Sequence, residues 1–334
     1  MPMMDLDAVT SGNRLALSRL LTEVENDTAT GRAALDRLFV HAGRAHLVGV
    51  TGAPGTGKSS LVSCLAKHIR SERGKSVAIV AVDPSSPFTG GAILGDRVRM
   101  RDLAGDAGVF IRSMASRGAL GGLARATAGV VQVLDAAGFD FILVETVGAG
   151  QSEVDIARLA HTTLVIEAPG LGDDIQAIKA GILEIADILV INKADLPGAD
   201  NTERALRANL DIGYTPRALH NSAHMMPSNA GDSVTEGWAP PVLKTIATQS
   251  IGMAELLAAI EAHRDHLKAT GLWQQRDRER LQAEVSQLLQ STLVQRWQQC
   301  MSEKKYKNII EQVYDRKISP GAAIEILLEE WNHL

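Results

Sequence analysis

The apolar positions of this chain change their period twice. Between residues 11 and 42 they recur at helical spacing. Leu15, Leu20, Leu21 and Val24 form one stripe and Leu35, Leu38 and Phe39 begin another, which predicts two helices. From residue 47 unbroken Val/Ile/Leu runs take over, at 47–51, Val77–Val82, Val109–Ile111, Phe141–Glu145, Leu164–Glu167, Ile188–Asn192 and Val242–Ile246. Runs of this kind read as strands buried on both faces. Helical stretches, notably 122–136 and 174–186, separate several of them, so an α/β fold with a mostly parallel, doubly covered sheet is expected. Helical spacing returns at Trp273, with Leu281, Val285, Leu288, Thr292 and Trp297 along one face. A break near Ser302 precedes a helix around Ile309, Ile310 and Val313. Ser319-Pro320 then supplies an N-cap and a first-turn proline for a last helix through Ile324, Leu327, Leu328 and Trp331. The segment Tyr214–Pro241, rich in Asn, Ser, Gly, Pro and Met, reads as a surface excursion. The pattern divides the chain into N-terminal helices (1–44), an α/β domain (45–270) and a C-terminal helical region (271–334).

One stretch sits where the first strand meets the first helix of the α/β part: Gly52-Ala53-Pro54-Gly55-Thr56-Gly57-Lys58-Ser59-Ser60. Leu61, Val62, Leu65 and Ile69 follow it at helical spacing. A G-x-x-x-x-G-K-[ST] match in a strand-to-helix turn is a phosphate loop. Its glycines let several backbone N–H groups converge on a di- or triphosphate, and the helix start adds the positive end of its dipole. Lys58 supplies a cation for the β/γ-phosphates, and the Ser59 hydroxyl is placed for magnesium. Downstream, Asn192-Lys193-Ala194-Asp195 follows a strand. A carboxylate there accepts both hydrogen bonds from the N1–H and 2-amino group of guanine, a donor pair that adenine lacks. The expected cofactor is therefore GTP or GDP with magnesium. Asp83, Asp96 and Glu145 are the candidate magnesium-site carboxylates, although a magnesium ion takes only one or two directly. Glu145-Thr146-Val147-Gly148 occupies the place of the D-x-x-G motif, whose glycine N–H senses the γ-phosphate; Lys58, Glu145 and Gly148 are thus the candidate catalytic positions. Ala149 stands where many GTPases place a water-orienting glutamine, so slow intrinsic turnover is expected.

Composition narrows the setting. A net charge of −5 gives no case for nucleic acid, and no apolar run approaches the length of a membrane span. The first residues, Met1-Pro2-Met3-Met4-Asp5, lack a basic segment followed by an apolar one. Cys64 and Cys300 make no disulfide framework, so a reducing cytoplasm is the expected location. Cys64 reads as a small core residue. All four tryptophans and all three tyrosines lie after residue 213, so the last part of the chain is built from different material.

Further motifs carry a family resemblance. They are Asp83-Pro84-Ser85-Ser86-Pro87, Gly90-Gly91 through Gly95-Asp96-Arg97, Ser116-Arg117-Gly118 with Leu120-Gly121-Gly122, and Glu145 through Glu153. With Gly172-Asp173-Asp174, Gln176, Lys179 and the Asn192–Asp195 box, they resemble the MeaB/ArgK/MMAA family of GTPases, from about Gly12 to about Gly271. The resemblance implies a P-loop GTPase of the signal-recognition/MinD-like class that is a chaperone for an adenosylcobalamin-dependent acyl-CoA mutase, gating cofactor loading and guarding the enzyme against inactivation. It also implies that Ala168–Lys179 is a switch coupled to the mutase, and that the C-terminal helices form a homodimer. Three features depart from the family pattern, one of them the excursion at 214–241. Asp174 stands where the pattern has Glu. The second guanine motif, usually Ser-Ala, reads Ile246-Ala247, which leaves Ala247 only a backbone contact to the base. A metal-insertion GTPase of the hydrogenase- or urease-maturation kind is the alternative, but it calls for a Cys/His cluster that two isolated cysteines do not supply. A kinase for a transport protein, or a scaffold that merely binds GTP, finds no supporting motif.

Overall fold

The structure is a computed structural model that describes residues 5–84, 103, 105–116, 122–146, 151–170, 183–213 and 237–331. Seven strands, β1 (His46–Gly52), β2 (Val77–Pro84), β3 (Val109–Ser116), β4 (Phe141–Thr146), β5 (Thr162–Glu167), β6 (Ile188–Ile191) and β7 (Val242–Lys244), form one sheet in the order β3-β2-β4-β1-β5-β6-β7. Every pairing between these strands is parallel. The chain leaves β1 toward β2 on one side and later reaches β5 on the other. Ligands of open parallel sheets bind beyond the strand C-termini at such a reversal.

Side chains alternate strictly between the two faces. Val48, Val50, Val77, Ile79, Phe141, Leu143, Leu164 and Ile166 join helices α4 (Lys58–Arg73) and α8 (Met253–Ala269) in one core. Leu47, Ala78, Val80, Ile142 and Val144 join the opposite core. There they meet the N-terminal helices α1 (Leu6–Thr10), α2 (Arg14–Glu25) and α3 (Ala29–Leu38), together with α5 (Gly122–Ala136). Position 49 shares that second face with Leu47, and only glycine fits there, because a Cβ would come within 2.6 Å of Ile156 on α6 (Gln151–Leu159).

The expected helical stripes shift slightly. In α2 the buried set is Leu17, Leu20, Leu21 and Val24, at i, i+3, i+4 and i+7. Leu15 lies off that face, 61% exposed, in the first turn capped by the Asn13 side chain, which accepts from Leu15 N and Ala16 N. Leu38 is buried, but α3 ends there and the following tight turn brings Phe39 out to solvent. Strand β3 runs on to Ser116, past its apolar run. Its Arg112 is held by a two-pronged ion pair to Glu25, Nε–Oε1 at 2.6 Å, so a polar residue is accommodated within an edge strand. Most of the expected helix 174–186 lies outside the described residues, as does Tyr214–Glu236 of the expected excursion.

The chain divides into two compact units, one ending at Glu279 and one beginning at Arg280, within α9 (Leu272–Cys300). In the second unit α10 (Glu303–Tyr314) and α11 (Pro320–Trp331) bury Ile309, Ala323 and Leu327 against Trp297, Met301, Val313 and Ile318. Ser319 caps α11, its Oγ accepting from Ala322 N at 3.1 Å. Trp297 therefore belongs to this small core, whereas Val285 and Leu289 of α9 are 64% and 58% exposed. Trp273 belongs to the first unit, stacked at 3.7 Å on His161.

His161 is part of a polar cluster at the N-terminal edge of the sheet. The His46 Nε2, Thr162 Oγ1 and His263 Nδ1 atoms follow one another at 2.8 and 2.9 Å, and His263 Nε2 lies 3.3 Å from Asp187 Oδ1. Asp187 also accepts from Arg276 through both terminal nitrogens (2.9 and 3.1 Å) and from Thr163 N. Arg276 further donates to the His161 carbonyl, and Trp238 Nε1 donates to the Asp187 carbonyl at 2.7 Å. His161 Nδ1 accepts from Leu47 N, so its proton sits on Nε2, beside Asp277 Oδ1 at 3.1 Å. Burial, reinforced by His161, Arg264, His263 and Lys268, holds the His46 pKa well below its ordinary value.

Candidate functional site

The phosphate loop leaves β1 at Gly52 and enters α4 at Lys58. Two glycines there are dictated by geometry. Gly52 has φ +139° and a Cβ on it would run into the Ile166 carbonyl of β5; Gly57 has φ +90° and its missing Cβ leaves room for Asn192 Nδ2. Lys58 is buried and its Nζ donates to the carbonyls of Gly52 (2.9 Å) and Ala53 (3.0 Å), which curls the cation over the loop. The Thr56 hydroxyl donates to the Ala53 carbonyl, tightening the same turn.

Ser59, the second residue of α4, donates its hydroxyl to Glu145 Oε1 at 2.6 Å. Glu145 reaches it because β4 lies beside β1, with Val50 paired to Glu145 two residues before Gly52. Both side chains are buried. A serine hydroxyl and a carboxylate, both hard oxygen donors beside a phosphate loop, fit magnesium. Asp83 stands at the same edge of the sheet, near the end of β2, where Val82 pairs with Thr146 of β4. Asp96 and Gly148 lie outside the described residues, as do residues 171–179 of the expected switch.

Asn192 ties the phosphate loop to the base pocket. It is buried, its Nδ2 donates to the Thr56 carbonyl at 2.9 Å, and its Oδ1 accepts from Ala247 N and Thr245 Oγ1, both at 3.2 Å. Lys193 takes a left-handed backbone (φ +56°) and its Nζ donates to the Gly55 carbonyl at 2.7 Å. Beside these contacts lies a cavity of about 210 Å³, lined by Gly57, Ser60, Asn192, Lys193, Asp195, Leu196, Ile246, Ala247 and Thr248. The structure thus brings Asp195 and Ala247 together with the phosphate loop, as the motif spacing implies. One detail differs: the Ala247 N–H, expected to face the base, is engaged by Asn192. Thr245, Leu196 and Thr248 were not singled out by motif. The signal for the two threonines was the missing serine at Ile246, which invites a search for a neighbouring hydroxyl.

The profile of the family described as "Methylmalonyl Co-A mutase-associated GTPase MeaB" matches residues 17–302. A protein of Pyrococcus abyssi named as a GTPase is 43% identical over 97% of this chain and 95% of its own length. The GTPase ArgK of Escherichia coli is 38% identical over 79% of this chain and 76% of its own. The crystal structure of a LAO/AO transport system kinase matches with a TM-score of 0.67 and 24% identity, covering 98% of this chain and 96% of that one, a likeness of fold. Phosphate loop, carboxylate and base box sit on one rim of a parallel sheet, and the profile spans most of the first unit and the start of the second: the chain belongs to the MeaB family of methylmalonyl-CoA mutase-associated GTPases.

Proposed function

We propose that this chain hydrolyses GTP as a chaperone of an adenosylcobalamin-dependent acyl-CoA mutase, gating cofactor loading and guarding or reactivating the mutase. The observation that carries the nucleotide part is the Asn192 bridge, which joins the loop for the phosphates to the pocket for the base. In this reading the loop N–H groups and Lys58 hold the β- and γ-phosphates, with Ser60 beside them. Ser59 and Glu145 hold magnesium, directly or through water, with Asp83 and Asp96 as its further carboxylates. The ion would neutralise charge on the phosphate oxygens. Gly148 senses the γ-phosphate through its N–H. Asp195 accepts from guanine N1–H and the 2-amino group, and Leu196 and Ile246 give the base apolar surface.

Coupling to the mutase is supported by the family and by the placement of the segment that begins at Ala168. Gly52 and Ile166 are register partners, so β5 passes the phosphate loop two residues before that segment starts. A segment so placed can take two arrangements that nucleotide and partner both bias. The exposed Val285 and Leu289 of α9 are the apolar surface from which we read a homodimer.

Turnover of the full-length protein, measured with and without an adenosylcobalamin-dependent acyl-CoA mutase, tests the coupling. With Ala149 beside the γ-phosphate sensor, intrinsic turnover should be below about one per second and rise when the mutase is added. Lys179→Ala should keep GTP affinity and lose most of that rise. Equal stimulation of both proteins would remove the segment as the coupling element, and no stimulation or complex with any such mutase would remove the chaperone role.

A further inference from the structure

The donors around the base pocket leave one purine atom without an assigned partner. A guanine read by Asp195 through N1–H and the 2-amino group presents its 6-oxo oxygen next to N1, on the same edge. Of the lining residues, Asn192 has its amide committed to Thr56, Thr245 and Ala247. The Ala247 N–H is held by that same amide oxygen, and Lys193 Nζ is held by the Gly55 carbonyl. Ile246 offers no side-chain donor, and Ser60, which also lines the cavity, belongs to the first turn of α4 next to the phosphate-loop residue Ser59. Thr248 is different. It lines the cavity, and its hydroxyl makes no hydrogen bond to any described residue.

We propose that the Thr248 hydroxyl donates to the 6-oxo oxygen of the bound purine, taking over a contact that the chain does not make through Ala247. The inference rests on the guanine reading of the pocket and names one further residue of that site. A hydroxyl also accepts hydrogen bonds, so Thr248 adds affinity for 6-oxopurines while Asp195 rejects adenine. The two contacts address different atoms and are separable with inosine nucleotides, which keep the 6-oxo oxygen and lack the 2-amino group.

The experiment is calorimetric titration of the full-length protein and its Thr248→Val, Thr248→Ser and Asp195→Asn variants with GDP, IDP and ADP. Thr248→Val keeps the shape and loses the hydroxyl. It should weaken GDP and IDP by the same factor, about three- to ten-fold. Thr248→Ser should restore both, and Asp195→Asn should weaken GDP more than IDP. GDP and IDP binding unchanged in Thr248→Val overturns the proposal. So does Thr248→Ser binding as weakly as Thr248→Val, because a hydroxyl at this position would then not restore the contact. Wild-type protein binding ADP as tightly as GDP would instead overturn the guanine reading itself, an outcome visible before any variant is compared.

Discussion

At their C-terminal ends β1, β5 and β6 release the phosphate loop, the segment from Ala168 and the base box. At their N-terminal ends the same three strands start beside His46, Thr162 and Asp187 in the buried polar cluster. The first rim is made of backbone: glycines with positive φ, carbonyls that hold Lys58 and Lys193, and one asparagine that joins two loops. The second rim is made of side chains that pair with one another without a loop motif, although His46 Nδ1 is buried without a hydrogen-bond partner among the described residues. Buried polar groups are costly unless fully partnered, so the lower cluster is expected to carry stability and the upper rim to carry chemistry. A variant at one rim should therefore leave the property of the other rim nearly unchanged.

The largest expected effect is on stability, from the lower rim. Asp187→Ala, at a buried carboxylate, removes the partner of the half-buried Arg276 and a neighbour of the buried His263. Breaking a buried pair in this way costs about 3–5 kcal/mol. Denaturant titration should show that loss, while the protein that remains folded binds GDP with ordinary affinity. A matching loss of affinity would show that the two rims are not separable.

Lys58→Ala is the converse. Its Nζ donates to the loop carbonyls of Gly52 and Ala53, on the rim that carries chemistry, so the denaturation midpoint should move less than in Asp187→Ala. GTP turnover should fall by about 10²–10³, the usual effect of losing one group that stabilises developing charge. A large drop in midpoint would mean that the lysine is a structural post.

The smallest effect is a pH dependence. His46 is held neutral by burial in the folded chain, whereas in the unfolded chain it takes up a proton near its ordinary value of 6.5. Its share of stability is complete above that value and is lost as pH falls below it, because there only the unfolded chain binds the extra proton. Melting temperatures at about pH 8 and about pH 5.5 should differ less for His46→Gln than for wild type. An unchanged difference would assign the acid sensitivity to other groups.

The contrast between the rims also accounts for what was legible in the sequence. Gly52–Ser59 and Asn192–Asp195 are contiguous, because a loop that wraps a phosphate or a base uses neighbouring backbone groups; their placement followed from the strand pattern. The lower cluster draws on residues 46, 161, 162, 187, 238, 263, 276 and 277, scattered singly or in adjacent pairs over strand starts, a loop and two helices, with no spacing to reveal it. Trp238 shows the difficulty well. It lies in a stretch read as a surface excursion, yet its indole N–H is committed to the Asp187 carbonyl and its ring lies 4.8 Å from His263. Trp273 heads the C-terminal helical pattern, yet it stacks on His161, far away in sequence, a partner that no spacing reveals. Within the pocket, Ile246 was legible as a missing serine, but which hydroxyl lies nearby depends on the tight turn Ala247–Gln249 that only the fold reveals.

Exchanging the base specificity tests the central claim most directly, that this rim is a guanine nucleotide site read by Asp195. Competitive titration of wild type and Asp195→Asn with GTP, ATP and xanthosine triphosphate is the measurement. Wild type should bind GTP far more tightly than either competitor. The variant should lose GTP affinity by more than about ten-fold and gain xanthosine triphosphate, whose 2-oxo group accepts from the new amide. A variant that keeps its preference for GTP, or a wild type that binds ATP equally well, would contradict the account.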